Sequence, residues 1–216
     1  MRILMAAIIF LLSYLVGSFP SGYLIGRFNG IDIRKYGSKN IGATNVRRIL
    51  GRDWSVLCFI LDFLKGLIPV LVFGKAMGSH CAVGAEYGAL LAGIGSICGH
   101  IFPVWLRFKG GKGVATSLGV VAGMAFLPLL IGGLTWLAIF HFKRIVSLAS
   151  IGAVIAVTVI AAFFQLIHWH APGWSCVMLF AVLTGMVIFR HKDNIERLRL
   201  GTENVFKKPE PNQDEK

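Results

Sequence analysis

Charged residues are scarce in this chain. They make up only 15% of its 216 residues. Acidic side chains are rarer than basic ones, with 10 Asp and Glu against 22 Lys and Arg. Hydrophobic residues account for 56%. A soluble domain needs more polar surface than this composition supplies, so we expect an all-α integral membrane protein.

Cysteines are few as well, and they form no recognisable ligand set. None belongs to a CxxC pair or has a histidine at metal-ligand spacing, and three lie within apolar runs. The four are Cys58, Cys81, Cys98 and Cys176. We expect them to fill packing positions. The sequence predicts neither a metal nor any other cofactor.

Acidic residues are too few to balance the basic ones, which leaves a net charge of +12. This excess lies between the apolar runs, where it would orient the chain and attract anionic lipid headgroups and anionic substrates. We expect membrane lipid, and no nucleic acid, as the partner of this charge.

Long apolar runs dominate the rest of the sequence, and each approaches the ~20 residues that a membrane-spanning helix needs. The first run could imitate a secretory signal. It continues through Ile25 and is followed by further runs, so it is better interpreted as a span. The six runs cover about 3–25, 54–73, 85–106, 114–142, 146–167 and 174–189.

Lysine and arginine cluster in the connections 26–53, 107–112, 143–144 and 190–216. Basic connections are typically cytoplasmic. Because both connections flanking 114–142 are basic, that segment must cross an even number of times, either as two short helices that break near Pro128 or as a re-entrant hairpin. The prediction is seven transmembrane helices, with the N-terminus periplasmic and the C-terminus cytoplasmic.

The chain shows no internal repeat and no linker long enough to separate domains. We therefore expect residues 1–206 to form a single transmembrane domain. The remaining segment, 207–216, reads KKPEPNQDEK. Its polar, proline-containing composition predicts a disordered cytoplasmic tail.

The segment 106–116, LRFKGGKGVAT, combines small and basic residues between two apolar runs. Its glycines let backbone N–H groups approach a ligand, its lysines supply positive charge, and the helix that follows points its N-terminus at the same place. This combination favours a phosphate site; the alternative is a cytoplasmic loop whose lysines only orient the protein. A nucleotide-binding P-loop is excluded, since Leu106 and Gly113 stand where that motif needs glycine and Ser or Thr.

The connection from Asp32 to Asp53 has more hydrogen-bonding side chains than an orientation signal requires. Its amides and hydroxyls can bind a polar ligand, and its paired arginines can grip an oxyanion through two N–H groups. The alternative is a solvated basic loop. We favour ligand binding, with the candidates Ser38, Asn40, Thr44, Asn45, Arg47 and Arg48.

Other polar residues flank these two segments. We expect His100 to pack against or orient the glycine loop, and Asp62 and Lys65, three residues apart within one span, to neutralise each other. Ser147 and Ser150 lie one helical turn apart near the cytoplasmic boundary, where they either face the site or bond back to their own helix.

No Ser–His–Asp or Cys–His constellation can be placed from spacing, and no paired carboxylates lie within a span. The chemistry therefore needs little acid–base machinery. A site of glycine-loop amides, Lys, Arg, Ser and Asn on an apolar scaffold suits phosphate-bearing reactants, at least one of them with a fatty chain. A transporter or channel for a small organic anion, lined by the broken segment near Pro128, is the alternative.

Three segments together resemble the PlsY family of bacterial acyl-phosphate:glycerol-3-phosphate acyltransferases. They are GSKNIGATNVRR at 37–48, GHIFPVWLRFKGGKGVATSLG at 99–119 and HKDNIERLRLGTE at 191–203. The resemblance implies a seven-helix enzyme of the bacterial inner membrane with its active site at the cytoplasmic face. Such an enzyme transfers a fatty acyl group from acyl phosphate, supplied by a soluble partner acyltransferase, to the 1-hydroxyl of glycerol 3-phosphate, giving lysophosphatidic acid and phosphate.

The resemblance also implies roles for individual residues, which join those chosen above from the residue types alone. The catalytic candidates are Ser38, Lys112, His191 and Asn194. The candidates for binding substrate and phosphate are Asn40, Thr44, Asn45, Arg48, Lys109, Gly110, Gly111, Gly113 and Glu203, together with Ser147 or Ser150.

An acyl phosphate is a mixed anhydride with a good leaving group, so the site must orient its reactants more than activate them. We expect the segment 110–113 to hold the donor phosphate, and Arg48, Lys112, Ser38 and Asn194 to orient glycerol 3-phosphate. The donor's own phosphate oxygens can take the hydroxyl proton in a cyclic transition state. The prediction is substrate-assisted catalysis with His191 in a supporting role.

Overall fold

The computed structural model describes residues 1–206, which fold into helices joined by turns, with no strand in that range. The predicted tail, 207–216, lies outside the described residues. The α-helices are α1 Arg2–Gly17, α2 Ser21–Phe28, α3 Ala43–Leu50, α4 Arg52–Pro69, α5 Ala85–Ile101, α6 Val114–Met124, α7 Phe126–Lys143, α8 Val146–Leu166, α9 Trp174–Arg190 and α10 Lys192–Arg199. The expectation of an all-α protein is confirmed.

Within residues 1–206, five helical segments are long and apolar enough to cross a membrane. A sixth results if α9 and α10, which bend by 59° at their junction, are taken together. Helix α6 has 11 residues, so it is only ~16 Å long and reaches about halfway through the ~30 Å hydrocarbon layer. The five segments long enough to cross are Arg2–Phe28, Arg52–Met77, Ala85–Leu106, Phe126–Lys143 and Val146–Leu166.

The apolar segment 114–142 is broken, as the sequence predicts, but at a different residue. The chain leaves the helical conformation at Ala125 (φ −147°), and Pro128 lies in the first turn of α7. Proline is tolerated there because the first N–H groups of a helix have no intrahelical acceptor. The prediction of a break near Pro128 is therefore corrected by three residues.

A second break separates α1 from α2. Helix α1 ends at Gly17 and α2 begins at Ser21, just after Pro20. The interruption leaves the carbonyl of Phe19 available, and the Lys65 ammonium donates to it at 2.7 Å. Lys65 also lies 2.8 Å from Asp62, which confirms the predicted ion pair.

Glycines bring the helices around the site into backbone contact. A Cβ added to Gly66 of α4 would lie 2.2 Å from the Thr116 carbonyl oxygen, and one on Gly119 of α6 would lie 2.0 Å from that of Phe63. Small residues at helix interfaces are the usual means of close packing in membranes. This packing fixes the start of α6, and therefore the glycine loop before it, against α4.

Candidate active site

A cavity of about 680 Å³ lies between α4, α6, α7 and α8. One part of its wall is apolar, and its lining includes Phe59, Phe63, Leu118, Phe126, Leu129, Leu130, Leu134, Leu137 and Phe140. The other part, the polar end, is lined by Ser38, Asn40, Thr44, Asn45, Arg47, Arg48, Lys112, Gly113, Ser147, Ser150, His191, Asn194 and Glu203. Most candidates from distant sequence segments therefore meet around one space.

The loop before α3 is organised by Asn45. Its side-chain Nδ2 lies 2.9–3.2 Å from the carbonyl oxygens of Ile33, Tyr36 and Asn40, which share its two hydrogens, and its Oδ1 accepts from the Ser38 N–H at 2.8 Å. Because an amide nitrogen has only two hydrogens, these contacts use its full donor capacity. Asn45, a candidate for binding substrate, is thus placed to hold the loop that presents Ser38 to the cavity.

The glycine loop is built differently from the predicted phosphate cradle. The N–H of Gly110 donates to the Ile101 carbonyl at 3.0 Å, and the N–H of Gly111 donates to the His100 carbonyl at 3.1 Å. These N–H groups are therefore not free to bind a phosphate. The expectation that they do so is corrected, because the loop needs them to dock onto the end of α5.

The N–H groups that remain available lie after Gly111, at the start of α6. Within residues 1–206, those of Gly113, Val114 and Ala115 have no backbone acceptor, and all three residues line the cavity. Gly113 has φ +83°, a conformation that favours glycine. The start of α6 thus presents free N–H groups and the positive end of its dipole to the polar end.

The two lysines of this loop have different surroundings. Lys109 is exposed and does not line the cavity. The Lys112 side chain reaches into the cavity and donates to Asn194 Oδ1. Burial lowers the pKa of Lys112 to about 8, although the negative charge of Glu203 partly opposes the shift.

Glu203 connects the residues of the last two motifs. Its buried carboxylate accepts from Ser147 Oγ at 3.0 Å, from Asn194 Nδ2 at 2.7 Å and from Arg197 Nε at 2.8 Å. A carboxylate only accepts and an ammonium only donates, so the amide of Asn194 can be oriented in only one way. Lys112 is held through this chain of contacts.

The structure distinguishes the two serines of α8. Ser147 donates to Glu203, whereas Ser150 accepts from Trp136 Nε1 at 3.3 Å. Both hydroxyls therefore bond to other segments of the chain. Ser147 belongs to the Glu203 network, and Ser150 lies further along the cavity wall.

His191 is buried at the junction of α9 and α10. Its Nδ1 lies 2.7 Å from the Val187 carbonyl oxygen. Because a carbonyl only accepts, Nδ1 carries the proton and Nε2 is left as an acceptor. Burial, followed by the charge of Lys112, lowers the pKa of His191 to about 4. The imidazole is therefore neutral near pH 7.

Two residues at or beside the polar end carried no clear signal in the sequence. The Arg190 guanidinium donates to the Gly111 carbonyl at 3.1 Å and so supports the glycine loop. The ring of Phe206 lies 5.0 Å from the Arg47 guanidinium and 5.9 Å from that of Arg48. The only sequence signal for Arg190 is its position next to the motif at 191–203. Phe206 follows the last motif and gives no pattern at all.

Comparison with known proteins identifies close relatives. A family model described as glycerol-3-phosphate acyltransferase matches residues 7–201. The glycerol-3-phosphate acyltransferase of Aquifex aeolicus is 43% identical over 203 residues, covering 93% of this chain and 99% of that protein. That of Geotalea daltonii is 44% identical over 200 residues, covering 91% and 95%.

Solved structures agree with the sequence matches. The crystal structure of PlsY (YgiH), an integral membrane glycerol 3-phosphate acyltransferase, in its glycerol 3-phosphate form has a TM-score of 0.82 and 40% identity, covering 94% of this chain and 96% of that one. Its lysophosphatidic acid form has a TM-score of 0.80. These matches support an acyltransferase and not the anion transporter. The chain is a multi-pass membrane protein and belongs to the glycerol-3-phosphate acyltransferase family.

Proposed function

We propose that this acyltransferase moves a fatty acyl group from an acyl phosphate to the 1-hydroxyl of glycerol 3-phosphate, giving lysophosphatidic acid and phosphate. The observation that carries the proposal is the single cavity that joins a basic polar end to a long apolar wall. Such a cavity suits phosphate groups at one end and a fatty chain at the other. The glycerol 3-phosphate and lysophosphatidic acid forms of the related structure agree with this substrate and product.

Two phosphate groups require two anion sites. The donor phosphate would bind at the start of α6, where the N–H groups of Gly113, Val114 and Ala115 are free. The phosphate of glycerol 3-phosphate would bind to Arg48 and Lys112. Burial lowers the pKa of Arg48, yet a guanidinium keeps its charge near neutral pH.

The fatty chain would lie along α7. Phe126, Leu130, Leu134 and Leu137 line the cavity at helical spacing and therefore share one face of that helix. From Phe126 to Leu137 the helix rises ~17 Å, similar to half of the ~30 Å hydrocarbon layer. A chain of the length found in membrane lipids would fit along this face.

In the proposed reaction the 1-hydroxyl oxygen attacks the acyl carbon, the bond from that carbon to the phosphate oxygen breaks, and the hydroxyl proton passes to the departing phosphate. His191, with a pKa of about 4, is a weak base at neutral pH. Its Nε2 would instead accept a hydrogen bond and orient the glycerol. Ser38 would help to orient the glycerol, and Asn194 would act by holding Lys112.

The proposed seven-helix topology is supported by contacts at one end of the bundle. Lys112, before α6, contacts Asn194, and the Arg144 carbonyl, after α7, accepts from the Phe206 N–H at 2.9 Å. Both ends of 114–142 therefore lie beside the C-terminal segment, as expected of a segment that enters the membrane and returns to the same face. The excess of basic residues at this end favours the cytoplasmic face of a bacterial inner membrane. There the donor would arrive from a soluble partner acyltransferase.

Cysteine labelling tests this topology. After the native cysteines are replaced, single cysteines at the exposed positions Lys39, Lys109 and Lys192 should be labelled only from the cytoplasmic side. One at His170, also exposed, should be labelled only from outside. Labelling of positions 109 and 144 from opposite faces would show that 114–142 crosses an odd number of times.

Donor selection tests the reaction. Purified protein in detergent should form lysophosphatidic acid from glycerol 3-phosphate and palmitoyl phosphate, but not from palmitoyl-CoA or palmitoyl-carrier protein, because its anion sites suit a phosphate joined directly to the acyl group. The Lys112→Met variant gives the background rate of lysophosphatidic acid formation. Equal rates with palmitoyl-CoA would refute the proposed donor.

Replacement of Lys112 tests the anion site. Lys112→Met should lower kcat/KM at least ~100-fold, because it leaves a substrate phosphate without a preorganised, buried cation that contributes several kcal/mol. Lys109→Met is the matched control and should have a much smaller effect, since Lys109 is exposed outside the cavity. Similar, mild losses in both variants would assign the lysines to membrane orientation alone.

The pKa of Lys112 adds a pH dependence to the same experiment. Since that pKa is about 8, the charged form is lost as the pH rises, and kcat/KM should fall above about pH 8. In Lys112→Arg this limb should move to higher pH, because a guanidinium keeps its proton.

Replacement of His191 tests substrate assistance. Purified His191→Ala should keep measurable turnover, with a pH profile between about 6 and 8 like that of the wild type, because His191 stays neutral throughout that range. Complete loss of turnover with glycerol 3-phosphate binding intact, together with the disappearance of a wild-type limb near the usual histidine pKa, would instead identify His191 as the base.

A further inference from the structure

A buried polar cluster reaches the wall of the cavity, where Asp62 and His100 contribute to the lining. The reaction described above makes no use of it. At its centre Asp62 Oδ1 accepts from Ser21 Oγ at 2.9 Å and from Lys65 Nζ at 2.8 Å. Asp62 and Lys65 are each about 5% exposed or less. Ionised groups are rare inside a membrane, and where they occur they usually serve a functional site. These contacts, with that of Lys65 to the Phe19 carbonyl, tie α4 to α2 and to the turn before it.

His100 links this cluster to the start of α6. Its Nδ1 lies 3.1 Å from Thr116 Oγ1, within hydrogen-bond distance, and 3.8 Å from Asp62 Oδ1. The longer distance is too great for a hydrogen bond, so the Asp62 carboxylate lies beside the imidazole without bonding to it. Thr116 belongs to the first turn of α6 and is fully buried. The Thr116 hydroxyl thus holds the imidazole against α6.

His100 also supports the glycine loop on two sides. Its carbonyl accepts from the Gly111 N–H at 3.1 Å. Its ring packs against the same residue, since a Cβ on Gly111 would lie 2.1 Å from His100 Nε2. His100 therefore contacts Gly111, which precedes Lys112 and Gly113 in the chain, and Thr116, which follows them.

We propose that His100 and Thr116, which lie beside Asp62, are positioning residues that set the place of the free N–H groups at the start of α6. They act through the loop and helix; Thr116 does not line the cavity, whereas His100 forms part of its wall. The Lys112 ammonium is instead held by Asn194. The proposal rests on the proposed function, in which the start of α6 binds the donor phosphate. Its consequence is that loss of the Thr116 hydroxyl weakens use of the donor more than use of glycerol 3-phosphate.

Thr116→Val tests this inference, because valine keeps the shape of threonine and replaces the hydroxyl with a methyl group of similar size. The variant should raise KM for palmitoyl phosphate about 10-fold, the effect expected when a buried hydrogen bond loses one partner, and leave KM for glycerol 3-phosphate within roughly two-fold. Thr116→Ser, which keeps the hydroxyl, should behave like the wild type. Thr116→Ala offers a second variant without the hydroxyl.

The chain provides a matched control in the Thr158 and Thr184 hydroxyls, which are 2.9 Å apart between α8 and α9. Thr158→Val removes a membrane-embedded hydroxyl that contacts neither the loop nor α6. It should leave both KM values unchanged. Melting temperatures of all variants separate loss of fold from loss of positioning.

Three results would overturn the inference: equal KM changes in Thr116→Val and Thr158→Val, a lower melting temperature in Thr116→Val with unaltered kinetics, or a failure of Thr116→Ser to restore donor use. The choice between palmitoyl phosphate and palmitoyl-CoA by the wild type tests the proposed function separately, since it involves no variant. If palmitoyl-CoA proves to be the donor, a KM change for it in Thr116→Val alone still supports the positioning role.

Discussion

The buried carboxylate of Glu203 is the interaction on which the polar end depends. It accepts hydrogen bonds from Ser147, Asn194 and Arg197, which belong to α8 and α10. A buried charge is costly unless it is paired and hydrogen-bonded, so this carboxylate holds its partners in one arrangement. Asn194 in turn fixes Lys112, and the cation faces the cavity in a defined position. Contacts from the C-terminal segment thus determine how the side chains of the polar end are arranged.

Positive charge dominates the polar end despite this carboxylate. Arg47, Arg48 and Lys112 line the cavity, while Glu203 is shared with Arg197. The surplus favours anions with more than one negative charge, and low polarity nearby strengthens the attraction. The apolar wall beside it would exclude water from an acyl group bound there. Attraction and water exclusion together suit transfer between two phosphate-bearing molecules without a strong protein base.

Reasoning from sequence predicted a phosphate site at a loop that does border the cavity, but it assigned part of the binding to N–H groups that are not free. The glycine pattern at 110–113 indicated free N–H groups, yet those of Gly110 and Gly111 bond to the end of α5. Their second role is steric, because a side chain on Gly111 would overlap His100. A pattern of small residues does not distinguish close approach to a ligand from close approach to the protein itself. Asn45 shows the same ambiguity, since its amide serves the loop.

The sequence by itself determined the membrane class, the broken segment 114–142, the Asp62–Lys65 pair and the segments that line the polar end. These depend on composition, charge and contacts between near neighbours. Only the tertiary structure decided that Ser147 and not Ser150 reaches Glu203, which N–H groups stay free, and that Phe206 covers the arginines. Ser147 and Glu203 are 56 residues apart, and Lys112 and Asn194 are 82 apart. Helix packing determines such pairs, because the residues near a buried donor in sequence do not indicate which distant group will accept its hydrogen bond.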